Sequence, residues 1–139
     1  WKIPQRTRNR QVRLRFFSLV NVYHPSALVG IGLRAAHYEA LDARDPAVGW
    51  LEVVAENYFG EGGYDLHMLR RLREKYPISV HSLGLSLGSP AGPCQRHLSS
   101  LQRLQLRIEP ILISDHLCWS AVGKLHLNEL LPLPYTEEA

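Results

Sequence analysis

His37, Glu56, Asn57, His81, Asp115 and His116 are the residues whose types and spacing suit chemistry. Each stands in, at the end of, or just beyond a short apolar run: LVGIGL before His37, WLEVVA before Glu56 and Asn57, ISV before His81, and ILIS before Asp115 and His116. Mixed imidazole and carboxylate donors suit first-row metals such as iron, manganese or zinc, and a carboxylate can bridge two ions. Taken singly, a histidine in a strand is more often a core group with a hydrogen-bond partner, and Glu56 could merely cap the turn that follows it. Repetition at four successive runs is what favours a metal centre. Strand alternation sets Asp115 and His116 on opposite faces unless the strand has already ended.

The elements that must carry these residues alternate in type. Leu28 to Leu33, Trp50 to Ala55, Ile78 to Leu83 and Ile111 to Ser114 read as short buried strands bounded by glycine, proline or polar residues. Between them, Tyr38 to Ala43 reads as a helix. Leu66, Met68, Leu69 and Leu72 give a second helix an apolar face, with Asp65 as its cap. His97, Leu98, Leu101, Leu104, Leu106 and Ile108 supply the spacing of a third. LLPLPY, from Leu130 to Tyr135, reads as a proline-stiffened loop, and Thr136 with Glu137 and Glu138 as the capped start of another helix. Four strand–helix units in a row predict an α/β fold with a parallel sheet, whose carboxyl edge is where binding groups gather. A closed TIM-type (β/α)8 barrel needs about 200 to 250 residues, so 139 residues correspond to about its first four units.

Composition narrows the class. The chain is 45% hydrophobic with a formal net charge of +3, and the basic excess sits in residues 1–27, where six Lys and Arg meet no acid. Residues 28–139 hold 10 basic and 13 acidic side chains, which argues against nucleic-acid binding by the body. The expected division is therefore a basic tail, residues 1–27, disordered or foreign to the fold, followed by a barrel portion, residues 28–139. The tail could otherwise be a nucleic-acid or membrane arm or a targeting segment, and Val12, Leu14 and Phe16 alternate with arginines as an edge strand would. No apolar run approaches the roughly 20 residues that span a bilayer. Two cysteines without CxxC spacing point to a reducing cytoplasm, with no disulfide framework or structural zinc.

Other chemistry is weaker. Ser86 and Ser89 lack the GxSxG elbow, the glycines at 84, 88 and 92 form no phosphate or dinucleotide fingerprint, and Cys118 beside Trp119 reads as packed. His24, His67, His97 and His126 read as surface residues.

Five motifs, GIGLRAAHYEAL, WLEVVAENYFGEGG, ISVHSLGLSLGS, ISDHLCWS and ELLPLPYTEEA, resemble in order and spacing the amino-terminal half of the DUF692 (UPF0276) family, the multinuclear non-haem iron-dependent oxidative enzymes. The resemblance covers residues 28–139. It implies a barrel of the xylose-isomerase-like kind, two or three iron ions at the carboxyl face, and molecular oxygen as co-substrate. It further implies oxidation of cysteines in a ribosomally made precursor peptide presented by a partner protein or recognition domain. Carried over by position, Glu56, His81 and Asp115 are catalytic iron ligands, His37 is a further ligand, and Asn57 and His116 are ligands or their neighbours. Val54 stands where the family usually has histidine, and Ala36 where it usually has proline. The family's carboxyl-terminal half is absent, which predicts exposed sheet edges, self-association and an inactive or weakly metal-binding fragment. Two other readings stay open: a different divalent-metal enzyme of the same barrel class, and a truncated non-catalytic relative acting as an interaction module.

Overall fold

A computed structural model describes residues 29–44, 46–123 and 125–137, so the expectations for residues 1–27 lie outside the described residues. Four strands, β1 (Gly30–Gly32), β2 (Trp50–Val54), β3 (Ile78–Ser82) and β4 (Leu112–Asp115), form one sheet in the order of the chain. Every neighbouring pair is parallel. Helices α1 (Tyr38–Arg44), α2 (Tyr64–Arg73) and α3 (Gln95–Ile108) connect them. This is the expected α/β architecture, consistent with part of a TIM-type barrel.

Period-2 alternation sorts the strands into two faces. Leu51, Val53, Ile78 and Val80 point to the helices and are buried with Leu41, Leu66, Leu69, Leu72, Leu101, Leu104 and Ile108 in one core. Trp50, Glu52, Val54, His81 and Ser114 share the other, half-buried face by register. Gly30 is glycine for a steric reason: the Trp50 indole occupies the space a Cβ would need. At the sheet's β4 edge, Ile111 and Leu112 are exposed.

The termini of the helices follow local chemistry. Asp65 does not cap α2; Gly63, at φ +105°, takes the N-cap position without a side-chain bond, and Asp65 instead accepts from the Tyr38 hydroxyl. Arg71 of α2 pairs with Asp42 of α1 at 2.7 Å, and the guanidinium holds the Asp42 carboxyl below its ordinary range. Helix α3 starts two residues earlier than its periodicity suggests and ends at Glu109, which turns left-handed at φ +46° before Pro110.

The larger correction concerns the segment after β4. Strands β5 (Cys118–Val122) and β6 (Leu125–Pro132) form an antiparallel hairpin where a proline-stiffened loop was expected over part of the segment. Pro132 stands at the end of β6, opposite Cys118, where a proline interrupts little of the ladder. Gly123, at φ +59°, supplies the turn. Residues 135–137 are a bend and turn, and the rest of the expected terminal helix lies outside the described residues.

Candidate metal centre

Because β1 to β4 are parallel, the residues after them stand at the same carboxyl edge of the sheet. His37 closes the 3-10 turn Ala35–His37 after β1 and accepts the Arg34 backbone N–H on Nδ1 at 3.3 Å. Glu56 and Asn57 lie in the 3-10 turn Ala55–Tyr58 after β2. Glu56 is half-buried and Asn57 exposed.

His81 is the hub of one cluster. Its Nδ1 lies 2.9 Å from Ser114 Oγ, its partner in register on β4, and its Nε2 lies 3.0 Å from Nε2 of His116. The two rings meet edge to face at 4.8 Å between centroids. Strand β4 ends at Asp115; Ser114 and His116 both reach His81, while the Asp115 carboxylate takes backbone N–H groups. Asp115 accepts the Leu85 N–H at 3.2 Å and the His116 N–H at 2.7 Å, which ties the loop after β3 to the end of β4. Burial, together with the Asp115 charge, pushes the nearby Cys118 thiol up.

Glu56 centres the second cluster. Its Oε1 accepts the Leu83 N–H at 2.8 Å and the Ser82 hydroxyl at 3.2 Å, and lies 3.0 Å from His97 Nε2. Its Oε2 is buried with no partner. The sequence reading put His97 on the surface, yet its side chain is only 15% exposed and packs edge-on against Phe59. The helical spacing already put His97 in line with Leu101, Leu104 and Ile108, the stripe that α3 buries, and only its polarity led to the surface reading. His67 and His126 are exposed as expected, and His24 lies outside the described residues.

The tyrosines beside these clusters join the first two turns. Tyr38 donates to Asp65 at 3.0 Å, leaving Tyr58 to donate to Tyr38 at 3.0 Å. Burial and these bonds push the Tyr38 phenol far above its usual range, and burial raises Tyr58 as well.

The donor set fits a metal in kind. Two imidazole nitrogens bound to one ion at about 2.1 Å each sit about 3 Å apart when they occupy adjacent octahedral positions. The His81 and His116 nitrogens have that separation, here as a hydrogen-bonded pair. A buried carboxylate oxygen without a donor is costly unless a cation or proton satisfies it, and Glu56 Oε2 is such an atom. Among the described residues, however, no three of His, Cys, Asp and Glu already converge as a ligand group.

Comparison with known proteins bears on the same residues. The model of the RiPP precursor modification enzyme family MbnB/TglH/ChrH matches residues 28–139. The chain belongs to this family. It is 52% identical over 111 residues to a UPF0276 protein of Chromobacterium violaceum, covering 79% of this chain and 40% of that one. A UPF0276 protein of Vibrio vulnificus is 46% identical over 117 residues, 84% of this chain and 40% of that one. One of Acaryochloris marina is 46% identical over 108 residues, 78% and 39% respectively. The chain thus spans about 40% of the length of these UPF0276 relatives. Among its described residues, no helix is long and apolar enough to cross a membrane.

Proposed function

We propose that this chain contributes the first four β/α units of a xylose-isomerase-like barrel that holds a multinuclear iron centre and oxidises cysteine residues of a ribosomally made precursor peptide. The observation that carries the metal reading is the unpartnered, buried Oε2 of Glu56, at the same sheet edge as the facing His81 and His116 nitrogens. Family membership supports the peptide substrate.

Glu56, His81, Asp115 and His116 are the residues that would hold iron, with His37 and Asn57 at the flanks of the same edge. Bound there, iron supplies Lewis acidity toward a thiolate and redox capacity toward dioxygen. The chain's own groups prepare that edge. Ser114 fixes the His81 ring through Nδ1 and so directs Nε2 toward His116. Asp115 holds the loop after β3 in place through Leu85. A partner protein that presents the peptide, and a cytoplasmic setting that keeps its cysteines reduced, complete the reading.

The test is metal analysis of anaerobically purified full chain, followed by oxygen uptake with a cysteine-containing precursor peptide. Iron at one or more ions per chain, lost in Glu56→Gln and His81→Ala, is expected. Iron content unaffected by both substitutions overturns the proposal. Zinc or manganese with no oxygen uptake would instead favour a different divalent-metal enzyme on the same scaffold.

A further inference from the structure

We propose that His97, on the first turn of α3, is a positioning residue for Glu56, committing Oε1 to the protein and leaving Oε2 as the oxygen presented for binding. This rests on the reading of Glu56 as a metal ligand.

Leu83 N, Ser82 Oγ and His97 Nε2 converge on Glu56 Oε1 at 2.8, 3.2 and 3.0 Å, and Ser82 Oγ lies 2.8 Å from His97 Nε2. The serine hydroxyl has one hydrogen. If it went to His97, a bare imidazole nitrogen would face the carboxylate oxygen with no proton between them, which is repulsive. The network is consistent when Ser82 donates to Glu56 and His97 Nε2 donates to Ser82 Oγ, with that nitrogen 3.0 Å from Oε1. Leu83 and Ser82 thus serve one oxygen directly, and His97 supports it through Ser82.

Nothing serves the other. A network that existed only to bury Glu56 would be expected to give each oxygen a donor, because a buried carboxylate oxygen without one carries an uncompensated desolvation cost. Here Oε2 is buried and unpartnered.

The His97 ring is itself held. Phe59 meets it edge-on at 5.0 Å between centroids. On another side the backbone of Gly84 passes so close that a Cβ there would overlap the imidazole Cε1 and Nδ1. Ser82, fully buried, adds the remaining wall. A ring fixed by three residues can hold a carboxylate in one orientation, whereas a surface histidine could not.

The experiment measures Fe(II) affinity by anaerobic chelator competition on the full chain. Wild type is compared with Glu56→Gln, His97→Ala, His97→Gln and Ser82→Ala, and thermal unfolding of each metal-free form is recorded alongside. His97→Ala is expected to weaken Fe(II) binding by about 10- to 100-fold, the usual effect of losing a ligand's supporting partner, and Glu56→Gln, which replaces the ligand itself, by at least as much. His97→Gln, whose amide N–H reaches about as far as Nε2, should recover most of the loss. Wild-type affinity in His97→Ala, with Glu56→Gln weakened, overturns the positioning role and leaves the ligand assignment standing. Unchanged affinity in Glu56→Gln overturns both. Should metal-free His97→Ala fail to fold, Ser82→Ala decides, and wild-type Fe(II) affinity there overturns the proposal.

Discussion

Nε2 of His81 and Nε2 of His116 face each other at 3.0 Å across the gap between β3 and the end of β4. Each nitrogen is a good ligand, and two such groups this close need either a shared proton or a shared cation. Replacing His116 with alanine is expected to weaken cobalt(II) or Fe(II) binding by about 10- to 100-fold. Isothermal titration under anaerobic conditions would show it, and equal affinity in both proteins would count against the pair as ligands.

Val54 lies opposite His81 in the β2–β3 register and shares its face of the sheet. A histidine there would bring a third imidazole to the edge. Val54→His is expected to tighten Fe(II) binding by about tenfold, or about 1.4 kcal/mol, measured by the same chelator competition. A weaker site would mean that position 54 cannot reach the metal.

The Tyr38–Tyr58–Asp65 chain predicts an alkaline response. An unfolded tyrosine titrates near pH 10, while burial and hydrogen bonding hold the native Tyr38 proton well beyond that. Above about pH 10 the unfolded state has therefore released protons that the native state keeps, so stability falls as pH rises. Tyr38→Phe should cost about 1–3 kcal/mol at pH 7, because Tyr58 and Asp65 lose their shared partner. It should also flatten the decline between pH 10 and 11. Urea unfolding across that range checks both signs.

The two thiols should react in sequence. Cys94 is half-buried and Cys118 buried, and burial raises the Cys118 thiol further from its reactive form. Maleimide labelling of native protein followed by peptide mapping is expected to modify Cys94 first, with Cys118 labelled only on unfolding. Early labelling of Cys118 would show that the β5–β6 hairpin opens in the native state.

Much of this architecture is legible in the residues. WLEVV and ISVHS are short, β-branched and bounded by glycine or proline, and the structure has strands at both. The leucine spacing of α2 and α3 likewise marks the faces they bury. What escaped notice has physical causes. Pro132 and Pro134 disguised β6 as a loop, because proline excludes itself from ladder interiors but not from a strand's last position. His97 was hidden by its polarity: an imidazole on an apolar stripe reads as a surface group until its partners, Ser82 and Glu56, are seen from strands distant in sequence. Side-chain alternation correctly separated Asp115 from His116, but only the end of β4 shows which of them turns to His81.

Helix α3 also holds the turn after β2 at two points: His97 meets Glu56 near its start, and Arg107 near its end donates to the Gly60 carbonyl and to Glu61, each at 2.8 Å. On a ribosome this imposes an order of events. With synthesis at roughly 5–20 residues per second, the turn carrying Glu56 emerges seconds before any of its anchors. It waits as an unsupported acidic loop until Ser82, Leu83 and then α3 have left the exit tunnel. If Glu56 binds a metal as proposed, an ion offered to the nascent chain before that moment would find it unanchored, and loading would follow the emergence of α3.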